Sequence, residues 1–124
     1  MNRVIFSLLG RTARISGLAA LLSAPALFGQ MIYNLGTLGG SFSGVTGLNI
    51  TGQVIGESNT ASDAALLAYR FSGGTMTGLA LPGYPDSKSV AINSGGQVAG
   101  DLKSVAGLPR AFLCSGGIET DLGT

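Results

Sequence analysis

The sequence contains no histidine and only one cysteine, Cys114, among its 124 residues. Without histidine, Ser-His-Asp catalysis, Cys-His catalysis and every histidine-based metal site are excluded. A single cysteine can form neither an intrachain disulfide nor a thiolate metal cluster. Cys114 also lacks a base that could generate its thiolate, so we assign it to the core. We therefore expect no catalytic residue, no metal ligand and no cofactor.

Charged residues are also few, with seven basic and six acidic side chains. The first 29 residues carry three arginines and no acid, and they end in an uncharged apolar run at 15–29. That run is shorter than the roughly 20 residues of a membrane-spanning helix, so the pattern predicts a secretory signal. Cleavage after Ala26 or after Gly29 is compatible with the small residues there, and an uncleaved amphipathic anchor is the alternative.

The remainder, residues 30–124, keeps four basic and six acidic residues, and its basic residues are scattered singly. This mildly acidic balance argues against nucleic acid or an anionic membrane surface as a partner. We expect a signal peptide at 1–29 and one β-repeat domain at 30–124. The predicted location is outside a bacterial cell, either secreted or displayed on its surface.

Glycine is abundant, with 21 residues, and several of the glycines recur in repeated strings. The string Asn-Ile-Thr-Gly-Gln-Val-Ile-Gly at 49–56 returns 44 positions later as Asn-Ser-Gly-Gly-Gln-Val-Ala-Gly. Ala-Tyr-Arg-Phe-Ser-Gly-Gly at 68–74 returns 43 positions later as Ala-Phe-Leu-Cys-Ser-Gly-Gly. Each string predicts a hairpin turn with glycine at positive φ. Gln53 and Gln97 recur together, which predicts buried amides that tie neighbouring strands.

The repeats define two units, at about 36–79 and 80–122, and each predicts four strands. The predicted strands lie at 45–50, 53–57, 66–71 and 75–79, and at 89–93, 97–101, 110–114 and 118–122. Four strands in about 43 residues is typical of a propeller blade, and such units must stack to bury a core. Residues 31–37 resemble a fourth strand and predict an orphan strand. The expected fold is an all-β, propeller-type segment of two units plus this strand, after an N-terminal signal helix; an open stack of hairpins is the alternative.

The repeated strings, together with Leu-Gly-Thr-Leu-Gly-Gly at 35–40, resemble those of the bacterial extracellular HAF-repeat family. The chain looks like an N-terminal part of such a protein, with about two repeats. The histidine of the family motif is replaced by Leu67 in the first unit and by Arg110 in the second, so its role is not carried over. The resemblance implies secretion or surface display and a β-rich repeat, and it implies no established activity.

Two classes of function compete for this chain. A non-enzymatic scaffold that binds a protein or a glycan is favoured over part of a propeller-fold, glycan-degrading enzyme. Glu57 and Asp101 occupy nearly equivalent positions in the two units, and a role that repeats with the unit is usually structural. The loops that differ between the units hold two aromatic residues, Phe42 and Tyr84, which we predict as ligand contacts; capping of the core is the alternative for both.

Two units alone would expose strand edges and apolar faces. A closed propeller would need roughly six to eight such units. We therefore expect either further repeats or self-association of this chain.

Overall fold

The computed structural model describes residues 30–124, so the predicted signal helix at 1–29 lies outside the described residues. The chain divides into two compact segments, Met1–Asn34 and Leu35–Thr124. The described part of the N-terminal segment, residues 30–34, is exposed and contains no strand. All the described strands, and both repeat units, belong to the C-terminal segment. None of residues 30–124 contributes to a helix with the length and hydrophobicity of a membrane span.

Eight antiparallel strands form two sheets, and each sheet is made by one sequence repeat. The first sheet contains β1 (Gly39–Leu48), β2 (Val54–Thr60), β3 (Leu66–Ser72) and β4 (Thr75–Leu79). The second sheet contains β5 (Asp86–Ile92), β6 (Val98–Lys103), β7 (Pro109–Ser115) and β8 (Ile118–Gly123). Neighbours in sequence are neighbours in each sheet. The prediction of an all-β chain with two four-stranded units is confirmed.

The repeated asparagine begins the turn between the first two strands of each sheet. Asn49 accepts a hydrogen bond through its carbonyl from Gly52 N at 3.1 Å, and its side-chain oxygen accepts one from Gln53 N at 2.9 Å. Gly52 has a φ of 82° and Gly96, its equivalent, has a φ of 83°. Only glycine adopts this left-handed backbone without strain. The sequence prediction of an Asn-initiated turn with glycine at positive φ is therefore confirmed.

The glycine that ends each Gln-Val-x-Gly string, Gly56 or Gly100, allows close packing. Gly100 pairs with Phe112 across β6 and β7, and a Cβ added to Gly100 would lie 2.8 Å from the Phe112 ring and overlap the Lys88 carbonyl oxygen. Gly56 is placed in the same way against Tyr69 and the carbonyl of Gly44. The aromatic ring thus covers a strand position where a side chain has no room.

The hydrophobic core lies between the two sheets, because β5 packs against β1, β2 and β3. Its fully buried members come from both sheets: Ile55, Ala68, Leu79, Val98, Leu102, Phe112 and Cys114. The partly buried Leu81, Tyr84 and Ile92 pack against this cluster. The expected place of Cys114 in the core is confirmed, since its side chain is fully buried.

Two predictions about the beginning of the repeat domain need correction. Residues 31–37 form no strand, so the predicted orphan strand is not present. Each sheet takes its fourth strand, β4 or β8, from its own repeat, and a strand persists only where a neighbour supplies its ladder of hydrogen bonds. The strand β1 begins at Gly39 rather than at residue 45, because Gly39 and Ser43 pair with β2 across a register shift.

We expect the Gly100→Ala substitution to lower the free energy of unfolding by about 1–3 kcal/mol, because the added methyl group overpacks the contact with Phe112. The matched control is Gly95→Ala, where the new Cβ would meet only Asn93 Oδ1, at 3.5 Å. This control should change stability by less than about 0.5 kcal/mol. Equal urea-unfolding free energies for Gly100→Ala and the wild type would contradict the proposed packing role.

Candidate functional site

The second unit contains a polar cluster that the first unit lacks. Tyr84, in the loop between β4 and β5, donates a hydrogen bond from its hydroxyl to Asp121 Oδ2 at 2.7 Å. Arg110 Nε donates to Asp121 Oδ1 at 3.3 Å, and Gly123 N donates to the same oxygen at 2.7 Å. Arg110 and Asp121 therefore form an ion pair that joins β7 to β8, and Tyr84 fastens the preceding loop to it.

The equivalent corner of the first unit is apolar. Arg110 and Asp121 correspond, at the spacing of 43, to Leu67 and Gly78. A Cβ added to Gly78 would contact the side chains of Leu38 and Leu67 at 3.3 and 3.5 Å. Polar residues that interrupt a repeat and converge in space are candidates for function, because the frame alone does not require them. Here, however, three donors already occupy the Asp121 carboxylate, so the cluster also acts as a structural clamp.

The electrostatics of this cluster follow from the hydrogen bond between its phenol and its carboxylate. The bond from Tyr84 holds the pKa of Asp121 below its ordinary value, and Gly123 N and Arg110 act in the same direction. The same bond raises the pKa of Tyr84, because the phenolate could not donate to Asp121. Near neutral pH the carboxylate is therefore ionised and the phenol protonated, which is the pairing that the hydrogen bond requires.

The two aromatic residues predicted as ligand contacts occupy different surroundings. The ring of Phe42, on β1, lies against Gly44, and 48% of the residue is exposed. Its backbone is fixed because Ser58, which is fully buried, donates to the Phe42 carbonyl at 3.0 Å. Tyr84 is half-buried, and it packs against the core with its hydroxyl bound to Asp121.

A shallow cleft of about 310 Å³ lies between the sheets and is lined by charges of both signs. Its lining includes Glu57, Leu66, Asp86, Lys88, Asp101 and Lys103. Neither predicted aromatic contact lines it. One carboxylate oxygen of Asp86 is engaged with β3 there, because Oδ1 accepts a hydrogen bond from Leu66 N at 2.9 Å. Within residues 30–124, no group of three acidic or cysteine side chains is arranged to hold a metal ion.

Asp63 is likewise engaged in the fold. Ser41 donates to Asp63 through its backbone N–H at 2.7 Å and through its hydroxyl at 2.8 Å, and Asn59 donates through its amide at 3.1 Å. The two bonds from Ser41 are the main reason that the pKa of Asp63 lies below its ordinary value. This carboxylate stabilises a short 3-10 helix, Ala61–Asp63, against the beginning of β1.

The buried thiol of Cys114 is not activated. Burial is the largest cause of the upward shift in the pKa of Cys114, and the nearby negative charge of Glu119 adds to it. The thiol donates to Glu119 Oε2 at 3.7 Å. A protonated, buried thiol is a poor nucleophile, so the geometry assigns Cys114 to packing.

The repeated glutamines tie strands together as the sequence predicted, but the prediction that both amides are buried is wrong. Gln53 Nε2 donates to Ser72 at 3.2 Å, and Gln97 Nε2 donates to Ser115 at 3.0 Å. Gln53 is half-buried because the turn of the second sheet covers it: a Cβ added to Gly96 would lie 2.8 Å from Gln53 Oε1. Gln97 remains exposed.

The sequence indicated Tyr84 as a ligand contact but did not predict that it meets Asp121 and Arg110. The available signal was that Leu67 and Gly78 become Arg110 and Asp121 in the second unit, a paired change from apolar to ionic.

Searches of protein-family models, curated proteins and solved structures found no match to this chain.

We expect the Tyr84→Phe substitution to raise the pKa of Asp121, since it removes the donor that lowers this pKa most. A lowered carboxyl pKa stabilises the fold above the unfolded-state value of about 3.9, and this contribution is lost as the pH falls through the folded-state pKa. The loss of stability in the variant should therefore be present at neutral pH and shrink in acid.

Carbon-detected NMR titration of the carboxyl groups measures this change directly. Asp63 provides the internal control, because Ser41 sets its pKa and Tyr84 is not among its partners. An unchanged titration of Asp121 in the variant would show that the hydroxyl does not control this carboxylate.

Proposed function

We propose that this protein is a secreted or cell-surface interaction module of the HAF-repeat type, without enzymatic activity, that binds a partner through the exposed part of its repeat frame. The observation that carries this proposal is that the polar side chains form hydrogen bonds that hold the fold together. The carboxylates of Asp63, Asp86 and Asp121 all accept hydrogen bonds that hold backbone segments together. The repeated Asn and Gln amides are similarly engaged in the turns.

Exposed apolar side chains support a role in recognition. Phe42 is half exposed on β1, and Val45 and Leu48 on the same strand are more exposed still. Exposed apolar surface on a small domain is typical of protein interaction sites. Phe42 is better placed for contact than Tyr84, whose hydroxyl and ring are both engaged within the second unit. A protein partner therefore fits this surface better than a glycan does.

We further propose that the two sheets are neighbouring blades of a propeller-type assembly. Their four antiparallel strands each, their length of about 43 residues and the packing of β5 on the first sheet support this arrangement. The composition of the first 29 residues supports export.

The second candidate, a glycan-degrading enzyme, is favoured by one observation, the cleft between the sheets. Glu57, Asp86 and Asp101 all line it, and paired carboxylates perform glycoside hydrolysis. We rank this candidate lower because Asp86 is bound to the backbone of β3 and because Glu57 and Asp101 repeat with the unit.

Capture of secreted proteins and surface glycans by the immobilised chain tests the interaction role. We expect Phe42→Ala to weaken capture roughly tenfold, as truncation of an aromatic anchor does. Ile50→Ala is the matched control, since Ile50 is an exposed apolar residue in the Asn49 turn, and it should capture as the wild type does. Equal capture by both variants would remove Phe42 from the site. Turnover of a polysaccharide panel that is lost in Asp101→Asn would instead establish the enzyme.

A further inference from the structure

The second sheet has a bare face at the positions where the first sheet is covered. In the first sheet, three residues are buried against the second sheet: Ile55, Ala68 and Leu79. Their equivalents in the second sheet are Ala99, Ala111 and Leu122. All three equivalents are exposed, and Leu122 is exposed for 58% of its surface. We call this surface, together with Asn93, Gln97 and Pro109, the β6–β8 face.

The first sheet has the complementary bare surface on β1. The strand β5 packs on the first sheet with Asp86, Ser89 and Ile92. The equivalent residues of β1, 44 positions earlier, are Phe42, Val45 and Leu48. All three are exposed, and Leu48 is exposed for 68% of its surface. We call these residues, together with Ser43, the Asn49 carbonyl and Gly52, the β1 face.

A hydrogen bond between the asparagine turns joins the two sheets, and each bare face carries one of the two groups needed to form the equivalent bond. Asn49 Nδ2 donates to the Asn93 carbonyl at 2.9 Å and also to Gln53 Oε1 at 2.7 Å. Asn93 Nδ2 repeats the second of these bonds, to Gln97 Oε1 at 2.8 Å, and Asn93 is exposed. The donor side of the contact is therefore preformed on the β6–β8 face.

Two more equivalent pairs are kept. Gln53 lies against Gly96, and their equivalents are the exposed Gln97 and Gly52; a Cβ added to Gly52 would meet nothing within 4 Å. Ala68 N donates to Ser87 Oγ at 2.9 Å, and the equivalents are Ala111 and Ser43. Each half of these pairs is present on one of the two bare faces. Gln97 and Ala111 lie on the β6–β8 face, and Gly52 and Ser43 lie on the β1 face.

In one equivalent pair, both residues on the bare faces differ from those in the contact between the two sheets. Leu66 N donates to the carboxylate of Asp86 where the two sheets meet. The equivalent of Leu66 is Pro109, which has no N–H to donate, and the equivalent of Asp86 is Phe42, which offers no acceptor. A proline against a phenylalanine leaves no unsatisfied polar group, whereas either change alone would. This matched replacement is what two surfaces that meet each other require.

We propose that the β6–β8 face of one chain binds the β1 face of a second copy of this chain. The proposal rests on the proposed function as an interaction module, and it names the partner. The contact repeats the geometry of the two sheets within one chain and keeps the hydrogen bonds of Asn49 and Ser87. The bonds that Ser89 and Arg70 donate between the sheets are not repeated, because their equivalents are Val45 and Leu113. It is heterologous, so each copy retains one unused face and further copies add until a ring closes or a filament grows.

One short segment must yield for this contact to form. Ser43 donates to the Gly36 carbonyl at 2.8 Å, as Ser87 donates to the Leu79 carbonyl at 2.6 Å. Residues 35–36 therefore take the position beside β1 that the end of β4 takes beside β5. In the assembly the end of β8 from the chain that presents its β6–β8 face takes that place. Ser43 then exchanges one backbone carbonyl acceptor for another.

Sedimentation of the full chain and of two face variants tests the proposal. The wild type should show a weight-average mass above that of one chain, 12.4 kDa, and the mass should rise with concentration. Leu122→Glu alters the β6–β8 face, and Leu48→Lys alters the β1 face. Each should sediment alone as a monomer, with a dissociation constant raised roughly tenfold or more. Val105→Lys, at an exposed loop position, is the matched control and should assemble as the wild type does.

Mixing the two face variants is the decisive arm. The Leu48→Lys chain keeps its β6–β8 face and the Leu122→Glu chain keeps its β1 face, so an equimolar mixture should form a dimer with one copy of each and grow no further. Milder Leu48→Gln and Leu122→Gln changes repeat the measurement if circular dichroism shows that a charged variant is unfolded. The proposal is overturned by a monomeric wild type or by association that persists in both face variants.

Further outcomes separate this proposal from the proposed function. Assembly by Leu48→Lys but not by Leu122→Glu would indicate a symmetric contact between two β6–β8 faces and would also overturn the head-to-tail arrangement. A monomeric wild type whose capture of another protein depends on Phe42 would refute the second copy as partner and retain the interaction module.

Discussion

The hydroxyl of Ser87 forms a buried hydrogen-bonded contact between the two sheets. It is almost fully buried, it accepts a hydrogen bond from Ala68 N on β3 and it donates one to the Leu79 carbonyl at the end of β4. A buried hydroxyl without partners would destabilise the fold, so these two bonds fix where β5 lies on the first sheet. The packing of the core and the contact of the asparagine turns follow from this placement.

Each repeat alone forms a hydrogen-bonded sheet but does not cover both faces of that sheet. A four-stranded sheet satisfies its interior backbone groups, but its faces need cover, and the first sheet obtains cover for one face from β5 and the strands that follow. The Gln-Val-x-Gly string contributes in both units, because its glycine admits the aromatic ring of the next strand. The same sequence features thus build each sheet and prepare its contact with the next.

The sequence predicted the parts of the fold that local chemistry determines. Strands, hairpin turns and the positive φ of Gly52 and Gly96 follow from the repeated strings and from their glycines, and they could be predicted without knowing the tertiary structure. The predicted strand at 31–37 was wrong, because similarity to β8 does not supply a neighbouring strand. The cluster of Tyr84 with Asp121 was not predicted, because residues 37 positions apart meet only through the packing of the loop before β5.

Most polar side chains serve the structure, which leaves recognition to exposed apolar positions. A side-chain hydroxyl of one repeat caps a backbone N–H of the other, and hydrogen exchange at the Ala68 amide tests this contact most directly. We predict that Ala68 exchanges as slowly as the neighbouring amides paired within β3. In Ser87→Ala its protection should fall while that of Phe112, in the second sheet, is retained. Rapid exchange of Ala68 in the wild type, or unchanged protection in Ser87→Ala, would contradict the claim.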